Sequence, residues 1–392
     1  MSDVLLLAAV RTPIGKYLGG LADLPAPQLG ALVLREALRR ANVPAERVDE
    51  VIVGNVIQAG VGQNPARQAA LHAGLPDTIA ALTVNKVCGS GLKAVMLAAQ
   101  AIKAGDADVI LAGGIESMSR APHLLMGTRT GWKYGDQKAV DAMIHDGLWC
   151  AFENWHMGEA AEHIAAKCNV NRDDQDRFAA QSHQRAAAAW EKGLFNAEVL
   201  PVTIGSGPKV KTIARDEAMR ADTSAEGLAK LKPAFRDIGT VTAGNASMLS
   251  DGAAAVVVAS STAAAKLAAK PLARIVAYAT SGIAPRDIFL APVGAVLQVL
   301  AKAEMTLKDI DLFELNEAFA AQMLACNKEL GLDESRINVH GGAIALGHPI
   351  GASGTRVLVT LLYALQQRGL KRGLASLCLG GGNAVAMIVE RL

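Results

Sequence analysis

Three stretches near the start of the chain return near its end at an almost constant distance. "VDEVIVGNV" (48–56) is similar to "DIDLFELNEA" (309–318), each an acidic lead followed by an apolar run into an Asn, with Asn55 and Asn316 lying 261 residues apart. "GSGLKAVMLAAQ" (89–100) returns as "GASGTRVLVTLLYAL" (351–365), which sets Gly91 and Gly354 263 residues apart, and "ADVILAGG" (107–114) returns as "GLASLCLGGG" (373–382). Solenoid units repeat every ~20–50 residues, so a period this long is not theirs. It predicts one strand-and-helix unit written twice, hence an α/β fold in which sheets are covered by helices.

Between the copies the texture changes. Residues 118–248 hold all four tryptophans, many charges and an Ala-rich charged stretch, "RDDQDRFAAQSHQRAAAAWEKG" (172–193), which reads as a helix closed by Gly193. That segment is expected to be an insert or lid, and "VTAGNASMLSDGAAAVVVAS" (241–260) to return to the apolar strand pattern. The expected division is 1–117 plus 249–270 for the first half, 118–248 for the insert and 271–392 for the second half.

Lys plus Arg number 39 against 37 for Asp plus Glu, without blocks of like charge, so no electrostatic footprint for nucleic acid or an anionic membrane is present. No uncharged apolar run reaches the ~18 residues of a membrane-spanning helix. The start, "MSDVLLLAAVRTPIGK", lacks the cationic lead of a signal peptide and reads as the first strand. Cysteines stand at 88, 150, 168, 326 and 378 with no C-x-x-C pair, which points to reducing cytoplasm without structural zinc or a disulfide framework. A small ligand is the expected partner.

"NKVCGSGLKA" (85–94) places Cys88 just before a predicted helix whose apolar face is Leu92, Val95, Met96, Ala99 and Ile102, with Gly105 as its cap. A cysteine is ordinarily a small buried hydrophobe. At a helix start, however, free backbone N–H groups and the dipole favour the thiolate. "GSGLKA" also fits the dinucleotide pattern G-x-G-x-x-A, but that pattern needs an acid at the far end of the next strand, and "VILAGG" ends in glycines. The second copy adds His348 in the glycine-rich turn "GGAIALGHPIGASG", Cys378 at the end of an apolar strand in "CLGGG", and Asn316 in "NEAFA". All four lie at strand ends or helix starts, where α/β folds build their sites.

Together with "GGIESMSRAPH", "WHMGEAAE" and "TVTAGNAS", these motifs run along the whole chain in the order found in the thiolases, which the sequence therefore resembles, the biosynthetic branch most closely. The resemblance implies two βαβαβαββ halves forming a five-layer αβαβα core, with an inserted loop domain over the substrate. It implies a reversible Claisen condensation of two acetyl-CoA to acetoacetyl-CoA and CoA. In that reading Cys88 is the acylated nucleophile, His348 its base and Cys378 the second acid/base. Asn316 orients a water at the enolate, held with His348, and the N–H groups of Cys88 and Gly380 bind the acyl oxyanion. A thiol near its ordinary pKa of about 8.5 would suffice for both jobs of Cys378, taking a proton in synthesis and giving one in thiolysis.

Coenzyme A would contact His156, Met157, Arg220, Ala243 and Ser247, with Ala318 and Phe319 lining the acyl pocket. CoA thioesters are substrates, and no permanently bound cofactor or metal is implied. The stretch 120–137, with Trp132 and Tyr134, corresponds to the family's tetramerisation loop, which implies a homotetramer arranged as a dimer of dimers. Met248, Ile288 and Phe289 depart from the family pattern, in which glycine or Met-Gly stands at these places, and they leave a longer-chain 3-ketoacyl-CoA thiolase as the alternative. Decarboxylating ketoacyl synthases share the nucleophile but lack the second cysteine. Cys150, Cys168 and Cys326 are assigned to packing or surface.

Overall fold

A computed structural model describes residues 3–205 and 207–392. Its centre is a twisted sheet built from β1 (Val4–Arg11), β2 (Glu50–Gly54), β3 (Ala80–Val84), β4 (Val109–Ser117), β5 (Ser250–Ser260), β6 (Ala273–Gly282), β7 (Leu312–Leu315), β8 (Arg372–Leu379) and β9 (Asn383–Arg391). The strand order is β7-β8-β9-β6-β1-β5-β4-β2-β3. Reading outward from the centre, β1, β5, β4 and β2 pair antiparallel, antiparallel and parallel. On the other side β6, β9, β8 and β7 do the same. The duplication seen in the sequence is thus a duplication of topology, and it extends to a register shift at Leu6/Ala8 matched by one at Ile275/Ala277. Leu5 and Leu6 pair with Arg274 and Ala273, joining the two halves.

Apart from the partly exposed edge strand β3, the strands read as near-continuous apolar runs because both of their faces are covered. Helices α1 (Ala26–Ala41) and α2 (Pro65–His72) cover one face of the first half. Two helices at equivalent places in the copies, α3 (Ser90–Ala104) and α8 (Ile350–Arg368), pack on each other and reach strands of both halves. The face predicted for α3 is buried throughout, and Gly105 caps it in the left-handed region at φ 87°. Helix α6 (Ala291–Lys302) packs on β6 and β9 and completes the layering on the far side.

The insert carries α4 (Met157–Lys167) and α5 (Arg172–Glu191), the latter started by Asn171, whose side chain accepts from Asp174 N. Helix α7 (Ala320–Leu330) of the second half packs against both. The strand expected over 241–260 begins only at Ser250. Residues before it are held as a loop by Asn245, which bonds Thr242 N and Asp176, and by the bond from Ser247 N to Ala318 O. Arg11, fully buried at the end of β1, ties the insert to the core through Glu198 at 2.6 Å and Asp216 at 2.7 Å. Losing Arg11 would leave two buried acids without their cation, typically at ~3–5 kcal/mol.

Candidate active site

The nucleophile candidate sits on a strained turn. Val87, immediately before Cys88, has φ 47°, a conformation that β-branched residues rarely adopt. Local hydrogen bonds enforce it: Asn85 Oδ1 accepts from Val87 N, while Ser90 Oγ accepts from Lys86 N and donates to Val87 O. Helix α3 then begins at Ser90 with Gly89 as its cap. Gly89 cannot carry a Cβ, because Leu379 lies directly over it, and a Cβ on Gly380 would come within 3.2 Å of Val87. The end of β8 is therefore laid onto the Cys88 turn, which brings the backbone N–H of Gly380 to the Cys88 sulfur beside the residue's own N–H.

His348 follows Gly347, whose φ of 109° and contact with Ser250 require glycine. Its backbone N–H donates to Met248 O at 3.0 Å. The ring is held on both edges, Nδ1 against Ser353 Oγ at 2.6 Å and Nε2 against Asn316 Nδ2 at 3.4 Å. Asn316 Oδ1 is buried and, among the described residues, has no partner, which leaves an acceptor for a water at that place. Cys378 is 2% exposed at the end of β8.

These groups open onto one largely apolar cavity of about 470 Å³. Cys88, His348, Cys378 and Gly380 line it, as do His156, Met157, Arg220, Ala243, Ser247, Ala318 and Phe319; Asn316 reaches it through His348. The expected catalytic and CoA-contacting residues thus line one cavity, apart from Asn316, which touches it through His348. The three departures from the pattern converge there too: Met248, Ile288 and Phe289 all line the cavity. Phe289 packs edge-on against Phe319 with centroids 5.3 Å apart, and its carbonyl accepts from the Cys326 thiol at 3.0 Å. Cys150 and Cys326 are buried and Cys168 half-buried, so all three belong to packing.

One expectation fails. Burial pushes the Cys88 thiol up to about 12, an effect that the N–H groups of Cys88 and Gly380 offset only in part and that the carboxyl of Glu116 reinforces. Cys378 is raised well above the ordinary range, first by burial and then by the neighbouring Cys88 and Cys326. A helix start does not outweigh a dry, apolar pocket. Both sulfurs therefore rest as thiols, and the proton has to leave during the reaction. The acceptor is present: burial, with Arg356 adding to it, pushes His348 down to about 3, so its imidazole stays neutral.

Sequence reading missed several residues. Glu116, fully buried, accepts from Asn55 Nδ2 and from the backbone N–H groups of Val56, Ile57 and Gly351, tying the Asn55 loop to the start of α8 beside Cys88. Burial raises it to about 7. Phe235 stacks on His156 at 5.0 Å and joins the cavity wall. Phe235 lies in no periodic or glycine-marked pattern, and Glu116 was visible only as part of "GGIESMSRAPH". Ser353 was visible only as part of "GASG". Among the described residues no cluster of His, Cys, Asp and Glu could hold a metal ion, and no helix is long and apolar enough to cross a membrane.

A pair of thiols and an imidazole in an apolar cavity defines an acyl-transfer site. Residues 4–262 match the family model "Thiolase, N-terminal domain" and residues 269–391 "Thiolase, C-terminal domain", so the chain belongs to the thiolase family. It is 54% identical to an acetyl-CoA acetyltransferase of Cupriavidus necator and 52% identical to one of Escherichia coli, each alignment covering 100% of both chains. The crystal structure of the Bacillus anthracis acetyl-CoA acetyltransferase superposes with a TM-score of 0.98 at 44% identity, covering 100% of this chain and 99% of that one.

Proposed function

We propose that the chain is an acetyl-CoA C-acetyltransferase, which condenses two acetyl-CoA to acetoacetyl-CoA and CoA and runs the same path in reverse. The observation that carries this reading is the meeting of two thiols, half-buried Cys88 from one half and buried Cys378 from the other, with a neutral imidazole in a single cavity. The full-length relatives named acetyl-CoA acetyltransferase support it.

In the first half-reaction the Cys88 sulfur attacks the thioester carbonyl as its proton passes to His348 Nε2. The developing oxyanion is met by the N–H groups of Cys88 and Gly380, donors of a kind worth ~3 kcal/mol each to the barrier. CoA leaves as a thiolate and takes the proton of Cys378. The Cys378 thiolate then removes a proton from the methyl carbon of a second acetyl-CoA. Its enolate oxygen faces the proton now on Nε2 and the water at Asn316, while its carbon attacks the acyl carbon on Cys88. Cys88 departs and recovers its proton from His348, so both thiols and the neutral imidazole are restored.

The pantetheine arm would run along His156, Met157, Ala243 and Ser247, with Arg220 toward the phosphates, and the acyl group would lie at Ala318 and Phe319. The insert, 118–248, serves as the CoA-covering unit between halves 1–117 plus 249–270 and 271–392. Exposed Trp132 and Tyr134 suit the assembly contact of a homotetramer, and a cytoplasmic setting suits free thiols. Mass spectrometry after mixing with acetyl-CoA tests the reading: Cys378→Ala should carry one acetyl group on Cys88 yet make no acetoacetyl-CoA. An acetylated Cys88→Ser protein, or rapid condensation by Cys378→Ala, would overturn it.

A further inference from the structure

The mechanism needs Nε2 of His348 to be unprotonated in the resting protein, and burial alone does not choose between the two neutral tautomers. The surroundings of the ring do. Ser353 Oγ, completely buried in the first turn of α8, lies 2.6 Å from His348 Nδ1 and 2.9 Å from Pro349 O. A hydroxyl has one proton. Were that proton directed at Nδ1, two oxygens 2.9 Å apart would face each other with only lone pairs between them. Directed at Pro349 O, it leaves Oγ free to accept from an Nδ1–H. Nothing else is needed to satisfy either atom.

The opposite edge of the ring agrees independently. Asn316 presents its Nδ2 amide group, a donor, to Nε2 at 3.4 Å, and two donors would repel there. The Ser353 geometry stands whichever way that amide is turned.

We infer that Ser353 is a positioning residue for His348, its hydroxyl accepting the Nδ1 proton and donating to the Pro349 carbonyl, so that the ring is held with Nε2 unprotonated in the cavity it shares with Cys88. This inference rests on the acyl-transfer reading of the site. It also explains how one nitrogen serves both half-reactions: Nε2 accepts the Cys88 proton first, presents it to the enolate next, and returns it at the end, while Nδ1–H never moves.

The tautomer can be read without turnover. Nitrogen-15 spectra of histidine-labelled protein, with the His348 signals assigned by their loss in His348→Asn, should show a protonated Nδ1 and an unprotonated Nε2 near neutral pH. The reverse pattern would overturn the inference, while acetylation of Cys88 by acetyl-CoA in the same sample tests the functional reading separately. In Ser353→Ala we expect kcat to fall on the order of 100-fold with KM within about twofold, the range associated with misplaced acid–base groups. Ser353→Thr, which keeps the hydroxyl, should restore most of kcat. Should Ser353→Ala fold with unchanged kcat and the wild-type tautomer, Ser353 does not position the ring.

Discussion

Gly91 and Gly354 mark the place where α3 and α8 cross, and each meets the backbone of the other helix. A Cβ built on Gly91 would stand 2.6 Å from Thr355 Oγ1 and 2.8 Å from Thr355 N, and one on Gly354 would collide with Leu92 N. These are the two glycines that the repeat sets 263 residues apart. Their contact is the reason the sites of the two copies become one: it lets the N-terminal ends of both helices, carrying Cys88 and His348 just ahead of them, approach a common cavity.

Gly91→Ala and Gly354→Ala should therefore both destabilise the fold. The obstructing atoms are backbone, which cannot turn aside as a side-chain tip can, so overpacking of ~1–3 kcal/mol is expected for each. Helix propensity works the other way by ~1 kcal/mol and would dominate if the crossing were loose. Urea unfolding decides it, since a rise in midpoint for either variant would show that the helices can part without strain.

Alkylation of Cys88 provides a second check. With the thiol raised to about 12, the iodoacetamide rate at Cys88, followed in Cys378→Ala, should keep climbing with pH through the alkaline range and show no plateau near neutrality. A plateau near pH 7 would mean that the backbone donors and helix start outweigh burial after all.

How far the sequence carried the reading depended on whether the signal was local. Strand and helix periodicity, the spacing of Gly91 and Gly354, and the helix-start position of Cys88 are properties of short stretches, and they appear in the fold as expected. The pKa of Cys88 is set by what surrounds it from distant segments, among them Glu116 and Gly380, and helix position alone pointed the wrong way. The bare edges of Arg356 and Glu314, fully buried and 3.5 Å apart, had no sequence signature either, since charge pairing across 42 residues obeys no local period. Asn245 and Ser247 look like part of an apolar run until their partners on α5 and at Ala318 are seen.

Acyl-chain length should be set by the wall at Phe289. That wall cannot easily withdraw: Asp287, two residues earlier, is bonded to Lys167 at 2.7 Å and His163 at 3.2 Å on α4, and the Phe289 carbonyl is bonded to Cys326. Phe289→Ala removes a ring 2% exposed at the cavity, so thiolysis of 3-ketohexanoyl-CoA relative to acetoacetyl-CoA should rise at least tenfold in kcat/KM, about 1.4 kcal/mol per decade. The substitution should also lower stability by ~3 kcal/mol, as large core truncations do. An unchanged ratio with acetoacetyl-CoA still turned over would place the chain-length limit elsewhere, Met248 being the next side chain in the cavity.

Acid should act on stability through three buried imidazoles, among other groups. Burial holds His183 and His340 down at about 4 and His348 at about 3, against 6.5 in the unfolded chain, with Arg220, Arg368 and Arg356 adding to the respective shifts. Between these values the unfolded state binds protons that the folded state refuses, so the contribution of the histidines is fully present above pH 6.5 and is lost as pH falls. Buried Glu116 and Glu314 act with the opposite sign. Raised from 4.5 to about 7 and about 8 by burial, they add stability on acidification, and that contribution is complete once pH reaches 4.5. The two sets therefore oppose each other down to pH 4.5, so the steepest loss among these groups should fall between pH 4.5 and about 4, and only His348 adds to it from there down to about 3. Denaturant midpoints should show it, and His340→Gln, outside the catalytic cavity, should flatten the slope between pH 6.5 and about 4 by about one proton's worth, ~1.4 kcal/mol per pH unit. A His340→Gln slope identical to that of the parent chain would mean that this imidazole charges freely in the folded state.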